Sequence, residues 1–363
     1  MKGMIMNMKV WENNIRRVKP YVPGEQPKDK TIIKLNTNEN PYPPAPGVAN
    51  ALSNMDIDSL KLYPDPTMGI LVDEIADCYN VGSNQVFVGV GSDDVLSMAF
   101  MTFFNSDKPI LYPDITYSFY PVWCDLYRVP YENPALDEDF RIVKEDYYKE
   151  NGGVLIANPN APTSLFEEIN VIEDIVRHNP DSVVIIDEAY IDFAGESAIS
   201  LIPKYENLLV IQTFSKSRSM AGMRIGYAIG SPKLIKALND VKYSFNSYTL
   251  NQVAILAGYE AIKDNEYLEE CVRKIVATRK RAEESFTKLG FKYLESGTNF
   301  LFVTHKDINA KKLYETLRES GIYTRYFDMP RIKNHLRVTI GTDDQMDIFF
   351  EFLKNYMKDI VQD

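Results

Sequence analysis

Residues 208–230, LLVIQTFSKSRSMAGMRIGYAIG, join two apolar runs through a loop that carries Lys216 and Arg224 eight residues apart. Apolar runs without polar alternation, such as LLVIQ and IGYAIG, are typical of strands that are buried on both faces of a sheet. Burying either cation alone costs several kcal/mol. The stretch therefore predicts two buried strands, and it raises the question of what offsets the charge of the two cations in the loop between them.

Earlier apolar runs repeat this pattern, and segments with helical periodicity separate them. The runs are VFVGVG (86–91), PILYP (109–113), GGVLIANP (152–159) and SVVIIDEAYIDF (182–193). Apolar strands that alternate with helices predict an α/β fold in which helices cover a mostly parallel, mixed sheet. Ligands of such sheets bind beyond the carboxyl ends of the strands.

The pattern changes near residue 250, where a long charged helical segment (265–290) is followed by short strand-like runs and a final helix. The proline-rich segment NENPYPPAPG (38–47) is typical of an extended linker. We therefore predict an N-terminal arm and linker at 1–40, a large domain at 41–250, and a small α+β domain at 251–363.

Composition and charge restrict the classes of partner. The chain has 363 residues and a net charge of −11, and no dense basic block interrupts it. Binding of the nucleic-acid backbone needs a basic face, so no nucleic-acid partner is expected. The first residues, MKGMIMNMKVWENN, have neither the sustained apolar core nor the cleavage site of a signal peptide, so neither a signal peptide nor a membrane span is expected.

The cysteines and histidines do not form a metal-binding pattern. Three cysteines are widely spaced without a CxxC motif, which favours a reducing cytoplasm over a disulfide framework. The three histidines form no cluster with the cysteines, so no metal site is expected. A serine hydrolase is also disfavoured, because the chain has no GxSxG motif.

Several short motifs identify a family when they are taken together. In chain order they are GSDD (91–94), TYSFY (116–120), NPNAPT (158–163), DEAY (187–190), SK (215–216) and Arg224. Taken singly, GSDD is typical of any capped turn between strand and helix, and Asp187 of a solvated loop acid. In this order they resemble the fold-type I aminotransferases, which use pyridoxal phosphate. KLNTNENPYPP (34–44), LYPDP (62–66) and HLRVTIGT (335–342) make the chain similar to the histidinol-phosphate aminotransferase branch.

This resemblance implies a lysine and a phosphate site. Lys216 matches the lysine that bonds covalently to the cofactor aldehyde and later carries the proton of transamination. Ser215, Arg224 and the backbone at Ser92 and Asp93 match the groups that neutralise the cofactor phosphate. The two cations of the opening stretch would then bind two ends of one anionic ligand.

The resemblance also implies contacts to the cofactor ring. Asp187 matches the carboxylate that keeps the pyridine nitrogen protonated, Tyr190 the donor to the ring hydroxyl, and Tyr117 the ring that stacks on the cofactor. The motif at 158–164 departs from the family's NPTG, because Ala161 stands where the family has an asparagine and Ser164 where it has a glycine. We expect Asn160 to supply the missing amide to the cofactor.

Substrate-binding residues follow from the same resemblance. Arg337 matches the arginine that holds the acidic group of the substrate, and Arg325 and Tyr21 match further phosphate ligands. Asn38, within NEN, is expected to contact the substrate. Tyr63, in LYPDP, matches a residue that reaches the cofactor phosphate of a neighbouring subunit, which implies a homodimer with a shared active site.

Three functions remain open from the sequence. The first is an aminotransferase that transfers the amino group of histidinol phosphate to 2-oxoglutarate, or that acts on an aromatic amino acid. The second is a lyase with the same cofactor residues, such as a threonine-phosphate decarboxylase. The third is a pyridoxal-phosphate-binding regulator without turnover, although no DNA-binding appendage is visible.

Overall fold

The computed structural model describes residues 9–27 and 32–362. Part of the predicted N-terminal arm, residues 1–8 and 28–31, therefore lies outside the described residues, as does most of the segment in which no signal peptide was expected. The strands, in chain order, are β1 (Ile33–Lys34), β2 (Val86–Gly89), β3 (Ile110–Leu111), β4 (Tyr131–Glu132), β5 (Gly153–Ala157), β6 (Val184–Asp187), β7 (Leu208–Thr213), β8 (Gly226–Gly230), β9 (Lys292–Tyr293), β10 (Phe300–Thr304), β11 (Ile322–Tyr323), β12 (Arg325–Tyr326) and β13 (His335–Thr339).

The α-helices alternate with these strands through the first two thirds of the chain. They are α1 (Pro46–Ser53), α2 (Gly69–Tyr79), α3 (Ser92–Phe103), α4 (Tyr120–Tyr127), α5 (Ile169–His178), α6 (Pro232–Phe245), α7 (Gln252–Lys263), α8 (Asn265–Lys288), α9 (Ala310–Glu319) and α10 (Asp343–Gln362).

The larger sheet has seven strands among the described residues, in the order β2-β8-β7-β6-β5-β3-β4. Only β8 runs antiparallel to its neighbours β2 and β7, whereas the pairs from β7 to β4 are parallel. The predicted α/β fold with a mostly parallel, mixed sheet is confirmed.

Helices cover both faces of this sheet, which explains why its strands are apolar throughout. Alternate side chains of β5 to β7 point to opposite faces. One face packs against helices α1, α2, α5 and α7, and the other packs against α3, α4 and α6. Every residue of β5, β6, β7 and β8 is buried.

The C-terminal part of the chain forms a second, smaller unit. Its sheet has the order β12-β13-β10-β9, and the helices α8, α9 and α10 contribute side chains to the core beside it. The strand β1, which follows the N-terminal arm, pairs in parallel with β11 of this unit. The N-terminal segment is therefore anchored to the small unit before it enters the large one.

Helix α7 follows the boundary predicted at residue 251. Its buried side chains, such as Ala254, Ile255 and Ile262, belong to the core of the larger sheet, and its neighbours are α1 and α2. Residue Ile275 of α8 lies in the core of the smaller unit. The boundary stays a prediction, and from this packing we propose that it lies near the start of α8.

Within residues 9–27 and 32–362, no helix has both the length and the apolar character required to span a membrane. Across the same ranges, no cluster of three or more histidine, cysteine or acidic side chains is placed to hold a metal ion.

Candidate active site

The carboxyl ends of β2, β5, β6 and β7 meet at one edge of the larger sheet, because β8 inserts antiparallel between β2 and β7. A cavity of about 370 Å³ opens at this edge. It is lined by Gln26, Thr37, Glu39, Ser92, Asp93, Tyr117, Ala157, Pro159, Ala161, Asp187, Ala189, Tyr190, Thr213, Ser215, Lys216, Ala221, Gly222, Arg224 and Arg337. Most of the residues expected from the motifs are thus brought together in one place.

One end of the cavity is suited to a phosphate. Helix α3 begins at Ser92, so its first backbone N–H groups have no partner within the helix and can bind an anion. Gly91 has φ = +83°, and a Cβ on Gly226 would lie 2.2 Å from the backbone nitrogen of Ser92. The turn therefore needs glycine at both positions to bring β8 against the start of α3.

Arg224 and Ser215 complete this end. The Arg224 guanidinium donates to Ser215 Oγ at 3.4 Å and forms an ion pair with Asp93 at 3.4 Å. Asp93 also accepts a hydrogen bond from the hydroxyl of Tyr117 at 2.9 Å. The Asp93 side chain thus positions both the cation and the aromatic ring, and leaves the α3 backbone free for a ligand.

Asp187 ends β6 at the floor of the cavity, where it is only 5% exposed. Its Oδ2 accepts a hydrogen bond from Tyr120 at 2.8 Å, and its Oδ1 accepts a weaker one from the backbone of Ala189 at 3.3 Å. Burial raises the pKa of Asp187 to about 6, although the Tyr120 hydrogen bond opposes the rise. A buried carboxylate with so few donors favours a cationic partner.

Tyr190 and Lys216 face each other across the cavity. The Lys216 ammonium lies 5.5 Å from the centroid of the Tyr190 ring and donates to the backbone oxygen of Thr37 at 3.3 Å. The Tyr190 oxygen accepts a hydrogen bond from the Asn38 amide at 2.8 Å. Because that bond uses the phenol as an acceptor, the Tyr190 hydrogen remains available to donate to a ligand.

Asn38, expected to contact substrate, lies instead behind Tyr190. It is 1% exposed and absent from the cavity lining. Besides its bond to Tyr190, its backbone N–H donates to Thr339 Oγ1 at 3.1 Å. Its contacts are those of a residue that positions Tyr190.

The Asn160 amide does not reach the cavity. Its oxygen accepts from Thr116 at 2.7 Å, and its nitrogen donates to the Ile115 carbonyl and to Thr163, both at 2.9 Å. Ala161 lines the cavity in its place. The expected replacement of the missing amide by Asn160 is therefore not what the structure shows, because neighbouring groups already satisfy that side chain.

Arg337 stands at the opposite end from Arg224. Its guanidinium donates to the backbone oxygen of Asn36 at 2.9 Å and lies 5.2 Å from the ring centroid of Phe300. Its Nε is buried and has no hydrogen-bond acceptor among the described residues. An unpaired buried N–H on a cation favours an anionic ligand at this position.

Arg325 and Tyr21 lie next to Arg337 but outside the cavity lining. Arg325 pairs with Arg337 across β12 and β13, and its guanidinium donates to the backbone oxygen of Val22 at 3.4 Å. Tyr21 stacks on Phe119 with centroids 4.6 Å apart. The N-terminal arm therefore lies beside the arginine end of the site.

Tyr63 does not approach the cavity of its own chain. It is 82% exposed and stacks on Tyr248, with the ring centroids 4.6 Å apart. A contact from Tyr63 to a cofactor would therefore have to be made in another subunit.

Sequence reasoning missed Tyr120 and Glu39. Tyr120 stands inside TYSFY and Glu39 inside NENP, but neither motif by itself assigns a role to these two residues. A tyrosine in an apolar helix is typical of packing, and only the fold shows that the Tyr120 hydroxyl meets Asp187, 67 residues away.

Comparison with known proteins identifies the family of the chain. The family model of aminotransferase class I and II matches residues 30–353. The chain is 52% identical over 344 residues to a histidinol-phosphate aminotransferase of Brachyspira hyodysenteriae, with 94% of this chain and 97% of that protein covered. It is 51% identical over 346 residues to one of Clostridium botulinum, with 95% and 98% covered.

Solved structures show the same fold. The histidinol-phosphate aminotransferase of Clostridium acetobutylicum superposes with a TM-score of 0.83 at 24% identity and covers 90% of this chain and 100% of its own. That of Sinorhizobium meliloti, solved in complex with pyridoxal-5'-phosphate, has a TM-score of 0.83 at 21% identity and covers 90% and 91%. With the family model matched over most of its length, the chain belongs to the aminotransferase class I and II family.

Proposed function

We propose that the protein is a pyridoxal-phosphate-dependent transaminase of histidine biosynthesis, which transfers the amino group of histidinol phosphate to 2-oxoglutarate. The observation that carries this proposal is a single cavity with Lys216 and Asp187 between two separate arginine sites, at Arg224 and Arg337. One site suits the phosphate of the cofactor and the other the acidic group of the substrate. Relatives that are identical at about half of their positions over nearly the whole chain are named histidinol-phosphate aminotransferases.

The residues present fit pyridoxal phosphate. The free N–H groups at the start of α3, with Ser215 and Arg224, suit its phosphate, and the buried carboxylate of Asp187 suits its ring nitrogen. When bound, the cofactor supplies an aldehyde for Lys216 and a ring that withdraws electrons from the substrate carbon. Ala161 offers no amide, so Tyr190 is the side chain placed to donate to the ring hydroxyl.

The chain's own groups then have distinct tasks. Asp187 would hold positive charge on the cofactor ring nitrogen, in a site where low exposure strengthens the attraction. With its amine free, Lys216 would take the proton of the reacting substrate carbon on Nζ and donate it again in the second half of the proton transfer. Arg337 orients the substrate through its unpaired Nε and keeps the reacting carbon near Lys216.

The active site is proposed to be shared between two copies of the chain in a homodimer. Exposed apolar side chains cluster on the segment before α2 and at the end of α6: Ile57, Leu60, Leu62, Tyr63, Phe245 and Tyr248. The two segments touch, because Tyr63 stacks on Tyr248 and Lys242 donates to the backbone oxygen of Pro66. A contiguous apolar patch of this kind is typical of a subunit interface. A homodimer would bury it and carry Tyr63 towards the partner's cavity.

A cytoplasmic location is proposed from the cysteines. Cys78, Cys124 and Cys271 are all free thiols. Burial raises the pKa of the Cys124 thiol to about 12, which keeps it protonated and unreactive. Unpaired thiols are the ordinary state of cysteine in a reducing compartment.

The alternative reactions are separated by their products. A threonine-phosphate decarboxylase of Porphyromonas gingivalis has a TM-score of 0.77, but its 20% identity supports the fold alone. The proposed transaminase forms glutamate from 2-oxoglutarate and histidinol phosphate. A decarboxylase would release carbon dioxide from threonine phosphate without glutamate, and a regulator would turn over neither.

The experiment is a substrate comparison on the wild type and Arg325→Ala, with the products identified by mass. We expect histidinol phosphate to be preferred, and Arg325→Ala to raise its KM far more than the KM of phenylalanine or tyrosine. The physical reason is that a phosphate dianion needs more positive charge than a carboxylate. A preference for phenylalanine in both proteins would contradict the proposal and favour an aromatic aminotransferase.

A further inference from the structure

Glu39 is an acidic side chain in a cavity whose ligands are anions. Among the described residues, three carboxylates line this cavity: Asp93, Asp187 and Glu39. Asp93 is paired with Arg224, and Asp187 is bound to Tyr120 at the floor. Neither of those carboxylates is directed to the substrate, so the role of Glu39 needs a separate explanation.

The two carboxylate oxygens of Glu39 differ in their hydrogen bonds. Its Oε2 accepts hydrogen bonds from Lys34 and from Thr37 Oγ1, the latter at 2.7 Å. Its Oε1 has no donor among the residues that the structure describes, and the side chain remains 41% exposed. Burial acts to raise the pKa of Glu39, but the hydrogen bonds from Lys34 and Thr37 and the charge of Lys216 outweigh it and lower the pKa below the ordinary value. The free oxygen therefore carries negative charge at neutral pH.

The backbone fixes Glu39 relative to the reacting lysine. Thr37, two residues earlier, accepts a hydrogen bond from Lys216 at 3.3 Å, and Asn40, the next residue, donates to the backbone oxygen of Ser217 at 2.9 Å. Asn38 is anchored to Thr339 of the small unit. Glu39 is thus placed between the Lys216 amine and the small unit, where we expect the body of a substrate to bind.

The chemistry of the substrate leaves one group for this carboxylate. Histidinol phosphate has an amine, a phosphate and an imidazole. The amine reacts next to Lys216. The phosphate needs the cations at Arg337 and Arg325, and the carboxylate of Glu39 would repel it. An imidazole N–H is a hydrogen-bond donor, and a bond from it to an ionised acceptor is stronger than one between neutral groups.

We propose that Glu39 is a specificity-determining residue, whose carboxylate accepts the imidazole N–H of histidinol phosphate. This inference rests on the proposed function and deepens it. A site built to bond a substrate N–H discriminates strongly against an analogue that lacks it, because the acceptor is then left without a partner. Glu39 would therefore separate imidazole substrates from phenyl ones, which the arginines cannot do.

The test compares two substrates that differ only in the ring, histidinol phosphate and phenylalaninol phosphate. The ratio of their kcat/KM values is measured for the cofactor-loaded wild type and for Glu39→Gln. We expect the ratio to fall by about tenfold or more in the variant, since a charged acceptor is lost. Lys34→Met is the matched control, because it removes a partner of Glu39 and keeps the carboxylate. An unchanged ratio in Glu39→Gln, or an equal fall in Lys34→Met, would overturn the inference.

A binding measurement gives a readout independent of turnover. Calorimetry on cofactor-loaded Lys216→Ala, with and without Glu39→Gln, should show weaker binding of histidinol phosphate in the double variant and a smaller change for phenylalaninol phosphate. Equal losses for both ligands would contradict a ring contact. If the wild type uses neither substrate, the proposed function and this inference both fail. If it uses histidinol phosphate and Glu39→Gln leaves the ratio unchanged, the inference alone fails.

Discussion

At the scale of single residues, the burial of Asp187 lowers the stability of the cofactor-free protein when its carboxyl group ionises. Burial raises its pKa from 3.8 to about 6, so the folded chain binds the proton more tightly than the unfolded chain does. The contribution of Asp187 to stability is therefore greatest at low pH and is lost as pH rises through this range. A rise of two pKa units corresponds to roughly 3 kcal/mol. The bound cofactor, with a protonated ring nitrogen, would supply the missing positive charge.

The prediction at this residue concerns Asp187→Asn in the cofactor-free protein. The variant should be more stable than the wild type by about 1–3 kcal/mol at pH 8, because its amide cannot ionise, and the gap should close near pH 4. Urea unfolding at the two pH values measures both differences. The loaded variant should lose about a hundredfold or more in turnover. A gap that is the same at pH 4 and pH 8 would contradict the role given to burial.

At the scale of elements, the strands could be predicted from the sequence, but the side-chain contacts in the segment after β5 could not. The apolar runs predicted β5, β6, β7 and β8 because buried strands need little beyond hydrophobic side chains. The direction of the Asn160 side chain depends on Thr116, 44 residues away, and no local pattern encodes that contact. The same holds for α7, because no motif named in the sequence indicates that its buried side chains join the core of the larger sheet.

A prediction follows for this segment. Asn160→Ala should destabilise the protein by about 1–3 kcal/mol, because Thr116, Thr163 and the Ile115 carbonyl lose their common partner. Its affinity for pyridoxal phosphate should stay near that of the wild type, since the side chain does not line the cavity. Unfolding curves and cofactor titration test the two statements separately. A stable variant with greatly weakened cofactor binding would restore Asn160 as a cofactor ligand.

At the scale of the whole molecule, the motifs predicted both one cavity and its sharing between two subunits, and a single chain can show only the first. Arg337 is distant along the chain from Asp187, Lys216 and Arg224, and the fold brings all four to one cavity. Their types and order were enough to predict the chemistry. Tyr63 lies on an exposed apolar patch instead, and its contact with the cofactor of a second subunit stays a prediction.

The assembly prediction uses that patch. Leu62→Glu should shift the protein towards monomers and reduce activity, because a charge would have to be buried in the interface. Ile348→Glu is the matched control, since Ile348 is an exposed apolar residue on α10, which contributes no residue to the patch. Analytical ultracentrifugation and turnover are measured together. A wild type that sediments as a fully active monomer would contradict the shared site.

The central claim is that the loop between β7 and β8 holds pyridoxal phosphate through Lys216. The most direct measurement is borohydride reduction of the cofactor-loaded protein, followed by digestion and mass mapping of the modified peptide. The Lys216 amine faces Tyr190 in the same cavity as Asp187, Ser215 and Arg224, so reduction should leave one pyridoxyl group on Lys216. Lys216→Ala should carry none. A pyridoxyl group on any other lysine, with Lys216 unmodified, would contradict the account.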